Sequence, residues 1–150
     1  MFASIGDDIL AGDAGNDFLI GGPGSDTYLF ERNGDQDSIL NKDTSPEAFD
    51  QLLFGEDISA EQLWFRQHDQ NLEIRVLGSE DRVTVRKWYA DEAYHLDAFK
   101  LDNGQILVES QVQQLVDAMA AFSPPSASEL NLSGERHETL QPIIAASWQS

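Results

Sequence analysis

Glycine, aspartate and a large apolar residue return together every nine residues at the start of this chain, and that phase restricts its fold more than any other feature. Across Gly6-Asp7-Asp8-Ile9-Leu10, Gly12-Asp13-Ala14-Gly15-Asn16-Asp17-Phe18-Leu19-Ile20 and Gly21-Gly22-Pro23-Gly24-Ser25-Asp26-Thr27-Tyr28-Leu29, glycine recurs at 6, 15 and 24, aspartate at 8, 17 and 26, and a large apolar residue at 10, 19 and 28. Each unit is six turn residues followed by a three-residue apolar strand. With one turn and one strand per unit, successive turns fall on alternate edges of a coil, and turns eighteen residues apart stack.

The residue types have physical reasons. Glycine supplies positive φ without steric cost, so the chain can turn tightly and aim its carbonyl oxygens at a common point. A calcium ion takes about six to eight hard oxygen ligands, which one turn of carbonyls plus a carboxylate half supplies; a stacked turn supplies the rest. Asp8 is therefore expected to share an ion with Asp26. On the other edge Asp17 faces Asn33-Gly34-Asp35-Gln36-Asp37, where the phase slips and either Asp35 or Asp37 is available before Ile39 takes the apolar position. The candidate ligand positions are Ser4, Gly6 and Asp8 in the first turn, Asp13, Gly15 and Asp17 in the second, Gly22, Gly24 and Asp26 in the third, and Asp35 and Asp37 in the fourth. A phosphate cradle is disfavoured, because no glycine follows Gly22-Pro23-Gly24 at dinucleotide-fingerprint spacing and the carboxylates repel anions. The EF-hand spacing is absent.

These nonapeptides resemble the RTX (repeats-in-toxin) family, in particular the last repeat block and C-terminal flank of bacterial adenylate cyclase toxin-haemolysins. The array-ending Ser25-Asp26-Thr27-Tyr28-Leu29-Phe30 and the downstream Gln62-Leu63-Trp64-Phe65, Asn71-Leu72-Glu73-Ile74-Arg75 and Val83-Thr84-Val85-Arg86-Lys87-Trp88-Tyr89 carry the resemblance further. Ala3-Ser4-Ile5 departs from the motif where its opening glycines belong. The resemblance implies a mainly β fold: a parallel β-roll over residues 1–41, an antiparallel hairpin cap with one C-terminal α-helix over 42–122, and a linker with a type I secretion signal over 123–150. It also implies calcium as the ligand, a secreted or cell-surface location, upstream RTX repeats and the type I secretion apparatus as partners, and a monomer.

The formal charge of −18 fits this reading, since self-repulsion opposes folding until cations relieve it. It also makes nucleic acids and anionic membranes poor partners, although Arg82, Arg86 and Lys87 cluster on what reads as a solvated strand. No cysteine is present, so neither disulfides nor thiolate sites contribute. No secretory leader is seen at the N-terminus, and no apolar run approaches the roughly 20 residues of a membrane span. The chain begins inside a degenerate repeat, which predicts that the natural protein continues upstream of Met1.

Beyond the repeats, Asp50-Gln51-Leu52-Leu53-Phe54 reads as a strand, and Ser59 as the cap of a helical turn at Ala60-Glu61-Gln62. Leu72, Ile74 and Val76 alternate with polar residues, as do Val83 and Val85, with Gly78-Ser79-Glu80-Asp81 between them, the pattern of a hairpin. Asn103-Gly104 predicts a two-residue type I′ turn in a second hairpin. These strands are expected to continue the sheet of the roll and close its end, with Trp64, Phe65, Trp88, Tyr89 and Phe99 in the core. Val112, Leu115, Val116, Met119 and Phe122 predict an amphipathic helix over 110–122, with a capping box of Ser110 and Gln113 and a stop at Pro124-Pro125. The segment from Thr139 to Trp148 is apolar enough to fold back or to be recognised.

Catalysis is not expected. His68, His95 and His137 are scattered, and neither an H-E-x-x-H helix nor a G-x-S-x-G elbow occurs. The function implied is calcium-dependent folding and secretion of a larger exoprotein. The alternative is a module that binds a receptor or carbohydrate on a host-cell surface.

Overall fold

The computed structural model describes residues 7–11, 15–31, 36–41, 48–56, 58–91, 94–122 and 134–149. Four short strands coil first: β1 (Ile9–Ala11), β2 (Phe18–Ile20), β3 (Thr27–Phe30) and β4 (Gln36–Leu40). They alternate between two sheets. β1 pairs in parallel with β3, Ile9 opposite Thr27, and β2 with β4, Phe18 opposite Ser38. The first pair keeps the eighteen-residue offset, while the second is lengthened by two residues at the slip.

The later strands add to the same two sheets. β5 (Gln51–Phe54), β9 (Ala98–Lys100) and β10 (Ile106–Val108) complete one sheet in the order β1-β3-β5-β9-β10. β6 (Leu63–His68), β7 (Asn71–Val76) and β8 (Arg82–Val85) complete the other in the order β2-β4-β8-β7-β6. β5, β8 and β9 join in parallel, so the coil continues past the repeats; only β7 and β10 run against it, and β6, antiparallel to β7, again runs in the direction of β8. The first sheet buries one residue of every rung in an unbroken column, and the second does so over four of its five strands. Leu10, Tyr28, Leu52, Phe99 and Leu107 are in register in the first sheet, and Leu19, Ile39, Val85 and Leu72 in the second; all are buried.

A 3-10 turn at Ala60–Gln62 follows Ser59, whose N–H donates to Gln62 Oε1 at 3.3 Å. Helix α1 (Glu109–Met119) buries Val112, Leu115, Val116 and Met119 and lies along β6, the outer strand of its sheet. There the Phe65 N–H donates to Met119 Sδ at 3.2 Å, giving an edge amide a partner. Helix α2 (Gly134–Ser147) packs on α1 through Leu140 and Ile144. The chain after it is stitched to β10 by two backbone bonds, Ile106 N–H to Gln149 O at 2.6 Å and Gln149 N–H to Ile106 O at 2.8 Å. Both sheets are thus covered at the cap end, and among the described residues β1 and β2 are the edge strands at the other.

Two local expectations are corrected. The second hairpin turns on three residues, 102–104. Gly104 sits at φ 94 and donates to Leu101 O at 3.0 Å, whereas Asn103 stays at negative φ, with its Oδ1 accepting the Gln105 N–H at 2.9 Å. A type I′ turn needs positive φ at both central residues; this is instead a type I turn closed by a left-handed glycine. The capping box at Ser110 and Gln113 does not form. Val108 is the N-cap, because β10 runs straight into α1 and the Glu109 N–H is satisfied by the Asp97 carbonyl at 3.0 Å. The linker expected over 123–133 lies outside the described residues, and the segment after it is the helix α2.

Candidate calcium sites

On one edge of the coil, the residue immediately before each rung is an aspartate: Asp8, Asp26, Asp50 and Asp97 before β1, β3, β5 and β9. They form a ladder. The Asp8 N–H donates to Asp26 Oδ1 at 3.1 Å, the Asp26 N–H to Asp50 Oδ1 at 2.8 Å, and the Asp50 N–H to Asp97 Oδ2 at 2.8 Å. Asp26 and Asp50 are buried, and the other Asp26 oxygen accepts the Gly22 N–H at 3.1 Å. On the opposite edge the Asp17 N–H donates to Asp37 Oδ1 at 3.0 Å. Asp37, opposite Asp17 and buried, is thus the partner on that edge, while Asp35 lies outside the described residues.

The turns are built for this stacking. Gly15 and Gly24 adopt φ 103 and 111, the conformation that favours glycine. Gly21, which the spacing argument did not single out, is required for another reason. A Cβ there would overlap the Tyr28 hydroxyl and sit 2.7 Å from Asp26 Oδ2. The side chains of the rung leave no room on the turn. Neighbouring side chains fix the stack further: the Ser25 N–H donates to Asp7 Oδ1 at 2.8 Å, the Gln36 N–H to Asn16 Oδ1 at 3.1 Å, and the Phe49 N–H to Ser25 Oγ at 2.8 Å.

Whether these residues suit a calcium ion can be tested on the polar atoms left over. Asp8 Oδ2 and Asp17 Oδ2, one on each edge, are buried and have no hydrogen-bond partner among the described residues. A buried ionised carboxylate oxygen without a donor is costly, and a hard cation satisfies it. Among the described residues no three His, Cys, Asp or Glu side chains converge, so turn carbonyls, an oxygen type calcium accepts, would have to complete a site here. The donor set therefore fits calcium, with Asp8 and Asp26 on one edge and Asp17 and Asp37 on the other. Ser4, Gly6 and Asp13 lie outside the described residues; Gly22 donates its N–H to Asp26 within the third turn.

Further along, the ladder needs no ion. Asp50 Oδ2 accepts from Asn41 Nδ2 at 3.0 Å, Asn41 Oδ1 accepts the Tyr28 hydroxyl at 2.8 Å, and Asn41 Nδ2 also reaches the His95 carbonyl at 3.2 Å. An amide stands at the roll–cap junction, satisfying a buried carboxylate with neutral donors. The sequence signal for this continuation was present but unread: Asp50-Gln51-Leu52 and Asp97-Ala98-Phe99 repeat the Asp-x-apolar end of the nonapeptide without its glycines.

Comparison with known proteins places this architecture in a class. Residues 2–36 match the RTX calcium-binding nonapeptide repeat (4 copies), and residues 71–111 match the haemolysin-type calcium binding protein related domain. Both matches are to RTX, haemolysin-type calcium-binding models, and the RTX nonapeptide repeats of residues 2–36 are calcium-binding repeats. Among particular proteins, the chain is similar to the iron-regulated protein FrpA of Neisseria meningitidis serogroup C, at 35% identity over 93 residues. That stretch is 60% of this chain and 8% of FrpA, so the chain spans a small part of that relative.

Proposed function

We propose that this domain is a calcium-dependent folding and secretion module of a larger RTX exoprotein and performs no catalysis itself. The observation that carries the reading is the pair of orphaned carboxylate oxygens at Asp8 and Asp17, set in stacked, uncompensated turns of a chain with formal charge −18. Such turns are stable only with cations. Binding to the folded state alone stabilises it by about 2.7 kcal/mol per site at a free concentration ~100 times Kd. Two sites are then comparable with the whole stability of a small domain, roughly 5 to 15 kcal/mol.

The cap gives this switch a direction. Its edges are covered by α1 and by the 148–149 segment, whereas β1 and β2 are edge strands among the described residues, and upstream repeats would stack on them. The C-terminal segment is the candidate secretion signal, and in the folded state its Leu140, Ile144 and Trp148 are buried. A type I apparatus therefore reads it only in the unfolded chain, and external calcium then closes the fold behind it. The test is far-UV circular dichroism during calcium titration, in which a cooperative gain of β-structure is expected, with magnesium much weaker because it requires tighter octahedral geometry. Identical spectra in chelator and in millimolar calcium overturn the reading.

A further inference from the structure

The chain has nine basic residues, and four of them, Arg66, Arg75, Arg82 and Arg86, project from the outer face of one sheet. Strand alternation sets this face. Phe65, Ile74, Val83 and Val85 point into the core, so Arg66, Arg75, Arg82 and Arg86 point out, and Arg86 lies over the Phe18 ring with 6.0 Å to its centroid. Arg75 and Arg82 are direct cross-strand partners. Like charges at that position repel, and sheets ordinarily avoid the pairing. The counter-ion on this face is Glu73, which is buried and held by Arg75 Nε at 2.6 Å, with Arg66 Nε at 3.9 Å. Arg82 and Arg86 form no ion pair among the described residues. Neutral hydrogen-bonding side chains flank them across the face: Gln36 opposite Arg82, and Ser38 and Thr84 in the next row.

We propose that this face binds a sulfated or carboxylated glycan, whose anionic group is gripped by Arg82 with Arg75 and Arg86 while Gln36, Ser38 and Thr84 meet the sugar hydroxyls. Guanidinium groups hold two oxygens of such an anion at once. β4 and β8 are paired on both sides, so the strands beneath Gln36, Ser38, Arg82 and Thr84 offer a peptide no free edge. A membrane or a long nucleic acid reaches beyond the arginines to the acidic remainder, whereas a short glycan stays within about one Debye length, ~8 Å, of them. The aromatics of the cap are not the recognition element, since Trp64, Phe65, Trp88 and Phe99 are buried. The proposal stands apart from the calcium role and does not depend on it.

The experiment is calorimetric titration of the full chain in millimolar calcium with a heparin tetrasaccharide, its fully desulfated, carboxyl-reduced form, and hexaglutamate. Binding of the sulfated form only is expected. Arg82→Gln and Arg86→Gln should each weaken it about tenfold, as for loss of one charge-assisted hydrogen-bond pair. Lys100→Gln, which removes the same charge from the other sheet, should leave it within twofold. Arg82→Gln also removes the like-charge pair, so its unliganded melting temperature is expected to hold or rise, which separates lost recognition from lost folding. Equal losses in all three variants mean general electrostatics and overturn the proposal. So does binding retained in the Arg82→Gln/Arg86→Gln double variant, which would place the sulfates on bound calcium. Equal affinity for the uncharged sugar removes the anionic basis, and tighter binding of hexaglutamate replaces the glycan with an acidic protein segment.

Discussion

In the first four rungs the residues entering the core along the paired columns are Leu10, Leu19, Tyr28 and Ile39, one per strand, and the turns beside them hold buried carboxylates. In the cap, the first of these columns runs through Phe99, which belongs to a packed aromatic cluster. Phe65 meets Phe99 edge-on at 6.0 Å and Trp148 at 6.4 Å, and Phe99 lies 5.9 Å from Trp88. The difference teaches how one rung geometry serves two purposes. On the function proposed above, cohesion depends on an ion between turns where apolar burial per rung is small. Where burial is large, the Asp ladder is closed by amides and Asn41, and the fold needs no ion there. Between the two, Phe30 of β3 and Phe54 of β5 pack edge-on at 6.4 Å, so the last repeat rung already shares the cap's core.

The largest expected effect is that of removing calcium, and it breaks the comparison most directly. In chelator, backbone amides of β1 and β2 are expected to exchange hydrogen rapidly while those of β7 and β8 stay protected. Millimolar calcium should restore protection at both, each filled site contributing about 2.7 kcal/mol at ~100 Kd. Equal exchange of both regions in chelator would mean that roll and cap form one cooperative unit and that the distinction is one of composition only.

Next is Phe99→Ala, expected to cost about 3 to 5 kcal/mol for a buried aromatic whose space the neighbours cannot refill. Because β9 is the rung on which β5 stacks, and β5 the rung under β3, the variant is expected to raise the calcium concentration needed to fold the roll, although Phe99 is no ligand. Leu10→Ala, at the open end, is expected to affect calcium binding only at the outermost turns. Thermal melts at saturating calcium and calcium midpoints by circular dichroism check both. A Phe99→Ala midpoint equal to that of the parent would show that the cap does not template the roll.

How far the sequence carried the reading follows from where each signal lies. The Gly/Asp phase fixed the alternation of turns, because each unit is closed by its own residues, and the apolar alternation at Leu72–Val76 and Val83–Val85 marked a hairpin for the same local reason. The parallel joining of β5, β8 and β9 was not legible. Its rungs are 24 and 47 residues apart on the Asp edge, with hairpins inserted between them, and the glycines that advertise a repeat are gone. At the site, the pairing of Asp17 with Asp37 required the register, which the slipped turn conceals in the sequence. Helix α2 is not legible in the sequence because Pro142, a residue that argues against a helix, falls inside it, and its buried apolar residues, Leu140 and Ile144, are short of a full stripe. What they pack on, α1, is far away in sequence.

A smaller effect sharpens the comparison within the Asp ladder. Asp26→Ala removes a roll carboxylate, and Asp50→Ala removes one that holds the Asp26 amide and Asn41. The second leaves those buried donors unpaired, which costs about 1 to 3 kcal/mol each. Calorimetric stoichiometry is expected to separate them: Asp26→Ala lowers the number of ions bound, and the double variant Asp8→Ala/Asp26→Ala lowers it no further, whereas Asp50→Ala binds the full number with a raised midpoint. Loss of an ion in Asp50→Ala would extend the calcium-dependent region into the cap.

The smallest expected effect belongs to Tyr89, the cap's counterpart to the orphaned roll carboxylates. Its hydroxyl is buried without a hydrogen-bond partner among the described residues, and burial, followed by the nearby Asp117 charge, pushes its pKa from 10.0 up to about 12. The roll's orphans call for a cation; this one, a neutral group, needs only to stay protonated. The sign follows from linkage. The unfolded chain loses the phenol proton near pH 10 and the folded chain near 12, so between them the unfolded state binds fewer protons and stability falls as pH rises. Below pH 10 the group contributes no slope. Tyr89→Phe removes a hydroxyl that pays desolvation without a bond, so at pH 7 it is expected to be neutral or stabilising by less than about 1 kcal/mol. Its melting temperature should also lack the part of the alkaline decline that Tyr89 causes in the parent. The check is a pair of melting series at saturating calcium from pH 8 to 12, with tyrosinate absorbance followed as the difference between parent and variant. Parallel alkaline declines would mean that the Tyr89 hydroxyl finds a partner or solvent in solution, and that the cap, unlike the roll, holds no uncompensated polar atom there.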